Sequence, residues 1–262
     1  MDKKVIWITG ASSGIGEATA YQFAKSGYRL VLSSRREDEL LRVKKETGLP
    51  DEDVLVLPMD AANYDNFGTL TEKVYAHFGR IDVLYNNAGI SQRSFVQETE
   101  LSVYKRLLDI DLLSVIALTK SVLPIMVKQN SGKIAVTSSV AGHVATPGRS
   151  GYAAAKFGLH GFFDALRAEV YKNNIGVTII CPGYIQTDIS KNALSSDGTQ
   201  YGQMDQNQAS GMPVEKCAEK IYRAISSGKN EVYIGGKEIL GVYIKRFFPK
   251  LLAKIVQKQA PK

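Results

Sequence analysis

The chain has few cysteines and no evident long apolar run, and both absences limit the class of protein to which it can belong. Its 262 residues include two cysteines, Cys181 and Cys217, each inside a hydrophobic stretch. Two such cysteines predict reduced, buried thiols, because disulfide scaffolds need several paired cysteines in a short chain. The sequence also shows no signal peptide and no apolar stretch of membrane-spanning length. We therefore expect a cytoplasmic protein.

Most of the chain has no large excess of positive or negative charge. The formal net charge is +7, but residues 245–262 contain six basic residues and no acid, which leaves +1 for residues 1–244. A nearly neutral body gives little support to a general role in binding nucleic acid. The basic residues of this tail are Lys245, Arg246, Lys250, Lys254, Lys258 and Lys262.

The same tail has apolar residues at helical spacing, opposite several of its lysines. They are Phe247, Phe248, Leu251, Leu252, Ile255 and Val256. The pattern predicts a basic amphipathic helix over residues 245–262, outside the main domain. Such a helix either makes peripheral contact with an anionic membrane or docks on its own body or a sister subunit.

Short runs rich in valine, isoleucine and leucine alternate with longer segments of helical period. This alternation predicts an α/β fold, a Rossmann-like doubly wound sheet of seven parallel strands with helices on both faces. With 44% hydrophobic residues, residues 1–244 can form a single domain. The predicted strands are Val5–Thr9, Arg29–Ser33, Val54–Leu57, Val83–Tyr85, Lys133–Ser138, Val177–Cys181 and Val232–Ile234.

A polar segment after the sixth predicted strand breaks this rhythm. Residues 190–212 contain three glycines and show little helical or strand period. Long irregular segments in compact folds are often lids over a binding site, although disorder gives the same composition. We predict a lid.

A glycine cluster follows the first predicted strand and precedes the first helix. The segment Thr9–Gly16 has the spacing Gly-x-x-x-Gly-x-Gly. Glycines let the backbone approach a pyrophosphate, and the free N–H groups of a helix N-terminus bind it. The spacing departs from the commoner Gly-x-Gly-x-x-Gly pattern, but its position predicts a dinucleotide site. The candidate cofactor-binding residues here are Gly10, Ser12, Ser13, Gly14, Ile15 and Gly16.

The end of the second predicted strand indicates which dinucleotide binds. An acidic residue at this place binds a free ribose 2′-hydroxyl, but the sequence has Ser34, Arg35 and Arg36. Two guanidinium groups can bind a 2′-phosphate through charge-assisted hydrogen bonds, so the expected cofactor is NADP(H). Ser34 and Glu37 also have the spacing of a capping box, which predicts Ser34 as the N-cap of the second helix.

A serine, a tyrosine and a lysine form a candidate acid/base group. Tyr152 and Lys156 are four residues apart, which places them on one face of a helix, and Ser139 lies thirteen residues before the tyrosine. The ammonium can stabilise a phenolate. Two other pairs have the same tyrosine-lysine spacing, Tyr21/Lys25 and Tyr233/Lys237, but neither has a serine at that offset.

Together these motifs resemble the short-chain dehydrogenase/reductase family, in its shorter single-domain type. The resemblance extends from about Lys4 to Ile234, and Leu118–Pro124 and Pro182–Thr187 are similar to the dehydrogenase/reductase member 7 subgroup. It implies an oxidoreductase that interconverts a carbonyl and an alcohol and assembles as a homodimer or homotetramer. Further cofactor-binding residues that it implies are Asp60 at the adenine, Asn87, Ala88 and Gly89 in the cleft, Pro182 and Gly183, and Ile185 and Thr187 at the nicotinamide carboxamide, with Tyr152 and Lys156 beside them.

One position departs from the family pattern. The catalytic asparagine of the family is replaced by Asp111. In the family the backbone carbonyl of this residue helps to hold a water in a proton relay, and a backbone group survives a change of side chain. Asp111 is therefore kept as a catalytic candidate. The alternative is an NADP(H)-binding regulator or scaffold with little turnover; a sugar-nucleotide epimerase needs a longer C-terminal domain.

The substrate is expected to be a small ketone or aldehyde, or the matching alcohol, of apolar character. The candidate substrate-binding residues are Ser139, Val140, Ala141, His143 and Tyr184. His143 is interpreted as a spacer in the pocket rather than a second base. No histidine, cysteine and carboxylate residues are clustered in the sequence, so no metal site is expected.

Overall fold

The computed structural model describes residues 3–258, so residues 1, 2 and 259–262, including Lys262 of the predicted tail, lie outside the described part. Seven parallel strands form one sheet in the order β3-β2-β1-β4-β5-β6-β7. The strand order reverses beside β1, which confirms the predicted doubly wound sheet. The strands are β1 (Val5–Thr9), β2 (Arg29–Ser33), β3 (Val54–Val56), β4 (Val83–Asn86), β5 (Gly132–Thr137), β6 (Ile175–Pro182) and β7 (Glu231–Ile234).

Helices cover both faces of the sheet because successive strand side chains point to opposite sides. Trp7 packs on the face covered by α3, α5 and α6, whereas Ile6 and Ile8 pack on the face covered by α1, α2 and α8. The helices are α1 (Gly14–Lys25), α2 (Glu37–Thr47), α3 (Phe67–Phe78), α4 (Leu101–Leu108), α5 (Ser114–Gln129), α6 (Ser150–Val170), α7 (Gln206–Ala209), α8 (Val214–Ser226), α9 (Leu240–Phe247) and α10 (Pro249–Gln257).

The second helix begins later than the capping pattern predicts. Helix α2 starts at Glu37, and its N-cap is Arg36, which makes no side-chain cap. The hydroxyl of Ser34 instead accepts a hydrogen bond from the backbone N–H of Arg36, at 3.2 Å. The prediction of Ser34 as N-cap was therefore wrong, because a local serine turn competes with the capping box.

One helical stretch contradicts the expectation that no apolar segment is long enough to span a membrane. Helices α4 and α5 are joined by a π-helical turn, Asp109–Leu113, into a continuous helix. This helix, Leu101–Gln129, has a mean hydropathy of 1.9 over its most apolar window. Leu118, Val122 and Met126 pack in the core against the sheet, and 44% of that window is buried, so core packing accounts for part of the apolar composition. A core helix of this kind passes the same test of length and composition as a membrane span.

Candidate active site

A cleft forms where the carboxyl ends of β1 and β4 meet. The hydroxyl of Thr9 accepts hydrogen bonds from the backbone N–H groups of Asn87 and Ala88, both at 2.9 Å. The Asn87 amide donates to the backbone carbonyl of Thr9, at 3.1 Å. These contacts fix the turn after β4 against the glycine segment that follows β1. The position is the one at which open parallel sheets bind ligands.

The glycine segment has a conformation that side chains at its glycine positions would prevent. Gly10 and Gly14 have positive φ angles of 65° and 57°. A Cβ at Gly16 would clash with the carbonyl of Gly10 and lie 2.6 Å from the Asn87 amide. The loop is therefore pressed against the β4 turn, with the N-terminus of α1 facing the cleft. Backbone N–H groups and the helix dipole at such a place suit a phosphate group.

The predicted arginine pair lies beside this loop. The guanidinium of Arg36 donates hydrogen bonds to the hydroxyls of Ser12 and Ser13, at 3.1 and 3.2 Å. Arg35 and Arg36 are both exposed after β2. The positive charge of Arg36 is therefore next to the glycine loop. Asp60, after β3, is also exposed, and its carboxylate accepts the backbone N–H of Ala62, at 3.0 Å.

The segment after β6 closes the opposite side of the cleft. A Cβ at Gly14 would lie 3.1 Å from the Thr187 methyl, so the glycine loop and this segment are neighbours. Ile15, Pro182, Gly183, Ile185 and Thr187 line one cavity together with Ser139 and Tyr152. Residues predicted from three distant parts of the chain therefore surround a single space.

The candidate acid/base group occupies the base of this cavity. Tyr152 is in the first turn of α6, and Lys156 follows one turn later, so both point to the end of β5. The Lys156 ammonium lies 5.5 Å from the centre of the Tyr152 ring and donates to the carbonyl of Thr137, at 3.1 Å. Ser139 follows β5, and its hydroxyl donates to the carbonyl of Pro182, at 3.3 Å. A hydroxyl and a phenol thus line the same cavity, and the cation lies next to the phenol ring.

The Asp111 carboxylate lies next to the Lys156 ammonium of this group. It is fully buried in the π-helical turn, where its Oδ1 accepts the backbone N–H of Ile90, at 2.8 Å. Its Oδ2 lies 3.4 Å from the Lys156 ammonium. Burial raises the pKa of the Asp111 carboxyl, and the Lys156 ammonium opposes that rise. Gly89 fits between these two side chains, since a Cβ there would meet both at 3.3–3.4 Å.

A second cavity, of about 340 Å³, opens beside Ser139. Its lining is mostly apolar and includes Val140, Ala141 and Tyr184, three of the predicted substrate-binding residues. Its outer wall comes from the C-terminal helices α9 and α10. The residues they contribute are Leu240, Gly241, Ile244, Leu252, Ile255 and Val256.

The tail therefore packs on the body of its own chain. Helix α9 runs across the boundary predicted at residue 244, and the chain turns at Phe248 into α10. Leu252 is 8% exposed and packs against Val140, Val144 and Val242. The opposite side of the tail keeps exposed apolar residues, including Phe247 and Leu251. Membrane contact through that side remains a prediction.

His143 does not line either cavity, so its assignment to the substrate pocket was wrong. Its Nε2 lies 2.7 Å from the Glu231 carboxylate at the start of β7. The side chains of His160 and Cys181 complete a cluster of four, with ligand-type atoms within 4.8 Å of one another. We expected no cluster of histidine, cysteine and carboxylate side chains, and this expectation is also wrong. The four residues are far apart in the sequence but meet in the folded chain.

The polar segment at residues 190–212 lies over the cleft. The Asp205 carboxylate pairs with Arg93 and Arg149, at 2.7 and 3.3 Å, and caps the short helix α7. Gln208 donates to the carbonyl of Ile185 and to the hydroxyl of Thr187. The segment is thereby attached to both sides of the cavity that contains Tyr152.

Two residues hold backbone groups of the site in a way that the sequence did not indicate. Gln92 is fully buried, and its side-chain oxygen accepts the backbone N–H of Gly151, at 2.7 Å, which positions the start of α6. Glu238 accepts the backbone N–H of Tyr184, at 2.9 Å, and holds the turn after β6. Neither belongs to a motif, so only their tertiary contacts reveal them.

The fold and the site together define a dinucleotide-binding oxidoreductase of the α/β type. The chain matches the short chain dehydrogenase family over residues 4–198. It is 41% identical to mouse dehydrogenase/reductase SDR family member 7 over 252 residues, which cover 94% of this chain and 74% of that protein. The chain belongs to the short-chain dehydrogenase/reductase family and is close to the member 7 subgroup.

Solved structures agree with this assignment. A short-chain dehydrogenase from Streptomyces avermitilis is 27% identical and superposes with a TM-score of 0.83, covering 98% of this chain and 96% of that one. A short-chain dehydrogenase/reductase from Burkholderia phymatum, solved in complex with NAD, is 24% identical and superposes with a TM-score of 0.84, covering 95% of both chains. The second similarity shows the fold alone.

Proposed function

We propose that the protein is an NADP(H)-dependent oxidoreductase that interconverts an apolar ketone or aldehyde and its alcohol, with Tyr152 as the general acid/base. The observation that carries this proposal is the meeting of Ser139 and Tyr152 in one cavity, with the Lys156 ammonium over the tyrosine ring. A bound nicotinamide would supply or accept the hydride. The shape of the glycine loop fits a dinucleotide pyrophosphate.

The side chains have separate tasks in this chemistry. Tyr152 donates a proton to the carbonyl oxygen during reduction and removes it from the alcohol during oxidation. Ser139 donates a hydrogen bond to the same oxygen and stabilises its negative charge. Lys156 stabilises the phenolate form of Tyr152 because its positive charge lies next to the ring. Asp111 holds the Lys156 ammonium in place through its carboxylate.

The preference for a 2′-phosphate rests on Arg36. Its guanidinium is exposed and already lies against the glycine loop, through Ser12 and Ser13. Arg35 adds a second positive charge at the same strand end. Charge-assisted hydrogen bonds from guanidinium to phosphate are strong and geometrically specific. An adenosine ribose without that phosphate would leave these cations without an anionic partner.

The apolar substrate class rests on the second cavity. Its volume of about 340 Å³ is enough for a small organic molecule, and Leu252 and Val144 are among its apolar lining residues. The cavity reaches Ser139, so an apolar group can lie in it while the carbonyl lies beside the acid/base group. A mostly apolar cavity with a few placed polar groups is typical of small-molecule sites.

The test is oxidation of NADPH and NADH by purified protein across a panel of ketones, aldehydes and quinones. We expect Tyr152→Phe to lower kcat by at least about 100-fold while leaving NADPH binding within a few-fold. Tyr171→Phe, at an exposed tyrosine beyond the end of α6, is the control and should behave as wild type. NADPH binding without turnover on any carbonyl would favour the regulator or scaffold; full activity of Tyr152→Phe would remove the tyrosine from its role.

A further inference from the structure

The protein has a second cluster of reactive side chains, separate from the acid/base group. His143, His160, Cys181 and Glu231 each offer one ligand-type atom, and these atoms lie within 4.8 Å of one another. We propose that this cluster is a zinc-binding site. The proton transfer assigned above to Tyr152 uses none of these four residues.

The distances between the ligand atoms approach those of a tetrahedral zinc site. With Zn–N and Zn–S bonds of about 2.0–2.3 Å, neighbouring ligand atoms in a tetrahedron lie about 3.3–3.6 Å apart. The Cys181 sulfur lies 3.4 Å from Glu231 Oε1 and 4.0 Å from His143 Nε2. His160 Nδ1 lies 3.7 Å from Glu231 Oε1. Only the pair formed by His143 Nε2 and Glu231 Oε1, at 2.7 Å, must separate to admit an ion.

The chemistry of the four ligands suits a divalent ion of intermediate softness. Two neutral imidazoles, one thiolate and one carboxylate carry two negative charges, which neutralise Zn²⁺. Binding converts the Cys181 thiol to a thiolate, and its proton goes to solvent. The carboxylate of Glu231 already lies within 3.7 Å of the sulfur and of both histidine rings, so all four ligands are within reach of one ion after a small shift.

The surroundings orient His160 as a metal ligand requires. The Ser138 hydroxyl lies 2.8 Å from His160 Nε2, which leaves Nδ1 to face Glu231. A hydrogen bond at the second ring nitrogen is what fixes a ligating histidine. Gly142 makes room for this ring, because a Cβ there would lie 2.8 Å from His160 Nε2.

Positive groups near the cluster are already engaged elsewhere. The Lys245 ammonium donates to the carbonyl of His143, and its charge lies over the ring of Phe157, 4.4 Å from the ring centre. Arg167 pairs with Asp164, at 2.6 Å. The side chains of His143 and Glu231 are 25% and 33% exposed, so an ion can enter from solvent.

An ion at this place would connect the strands that carry the acid/base group. Cys181 precedes Pro182 in β6, Glu231 begins β7, and His143 ends the turn that follows Ser139. The four ligands thus join β6, β7, α6 and the segment after β5. The metal would hold the Ser139 turn against β6; this consequence for activity rests on the proposed function, whereas zinc binding itself does not.

The test is the zinc content of full-length protein prepared without a polyhistidine tag. Protein stripped with a chelator is reloaded with zinc chloride, freed of excess by gel filtration and measured by mass spectrometry. We expect one zinc per chain in wild type and in His77→Ala, whose histidine is exposed on α3. In Cys181→Ser and Glu231→Gln, zinc affinity measured against a chromophoric chelator should fall by more than about 100-fold.

Cobalt provides a readout that does not depend on any variant folding correctly. Wild type loaded with Co²⁺ should show a thiolate-to-cobalt charge-transfer band and the intense visible bands of tetrahedral cobalt. Circular dichroism checks that Cys181→Ser is folded. The proposal is overturned if wild type takes up no stoichiometric zinc, if cobalt shows no thiolate band, or if folded Cys181→Ser binds zinc as tightly as wild type.

Discussion

The Lys156 ammonium lies 3.4 Å from the Asp111 carboxylate, and both side chains are buried beneath the candidate site. The resemblance to the family implies an asparagine at the position of Asp111, so a carboxylate lies where a neutral amide is expected. The charge favours the ammonium form of Lys156 but partly cancels the positive field that acts on Tyr152. The π-helical turn keeps Asp111 directed at this pair.

The first prediction follows from this pair. Asp111→Asn should leave kcat at the wild-type level or raise it by up to about tenfold, because removing the carboxylate strengthens the net positive field at Tyr152. The amide oxygen can still accept the Ile90 N–H. Steady-state kinetics with NADPH and a carbonyl reduced by wild type would measure the change. A folded variant that binds NADPH normally and has lost turnover would contradict the prediction.

The second prediction concerns cofactor choice. Arg36→Ala should raise KM for NADPH by about 10- to 100-fold and leave KM for NADH nearly unchanged, since NADH has no 2′-phosphate. Arg35→Ala measures the contribution of the neighbouring charge. The control is Arg223→Ala, which removes the same charge from α8 at an ion pair with Glu219. Equal NADPH-to-NADH ratios in wild type and both loop variants would remove the arginines from cofactor selection.

The third prediction tests the wall that the tail contributes to the second cavity. Leu252→Ala should raise KM for an apolar carbonyl by about tenfold without changing NADPH affinity, because Leu252 lines the cavity and the glycine loop does not touch it. Leu251→Ala is the matched control, since its side chain is 51% exposed and faces away. If both variants show the same KM, α10 does not form part of the substrate pocket.

The fourth prediction concerns the pH dependence of stability at the β2–β3 edge. The Asp53 carboxylate accepts from Lys3 and Arg29, at 2.5 and 3.0 Å. The hydrogen bond from Lys3 lowers the pKa of Asp53, against burial. Asp53→Asn should therefore lower the melting temperature by several degrees at pH 7, since a carboxylate with a lowered pKa stabilises the fold above its unfolded pKa of about 3.9.

At acidic pH the difference in melting temperature between wild type and Asp53→Asn does not change sign; it disappears. Below the unfolded pKa of about 3.9, the unfolded chain binds the Asp53 proton before the folded chain does, so the contribution of Asp53 is lost as the pH falls towards its lowered folded pKa. Calorimetry from pH 3 to 7 should show the melting temperatures of wild type and variant converging at the acidic end. Asp65→Asn, at an exposed position, is the control. A constant difference over this range would exclude Asp53 ionisation as its cause.

The fold could be predicted from the sequence because its signals are local. All seven strands appear as short valine- and isoleucine-rich runs, and the structure confirms each within a few residues. The helix starts were less predictable. The Ser34 pattern suits either a capping box or a serine turn, and the backbone of the Ser34–Arg36 segment decided between them.

The candidate site was predictable only in part. Ser139, Tyr152 and Lys156 lie within eighteen positions on a strand end and the helix that follows, so their spacing alone places them together. Gln92 and Glu238 hold backbone groups of other segments, and a single buried hydrogen-bond acceptor has no sequence pattern. His143 was misplaced because the direction of its side chain depends on Glu231, in β7.

Local patterns in the chain predict the alternation of strands and helices, the glycine loop and the order of the acid/base residues, because each depends on neighbours within a few positions. Three contacts are visible only in the folded chain: α10 packs on the second cavity, Asp111 faces Lys156, and the side chains of the proposed zinc site meet. These contacts join segments far apart in the chain. Their formation depends on how the sheet and its helices pack, and no local sequence pattern predicts that packing.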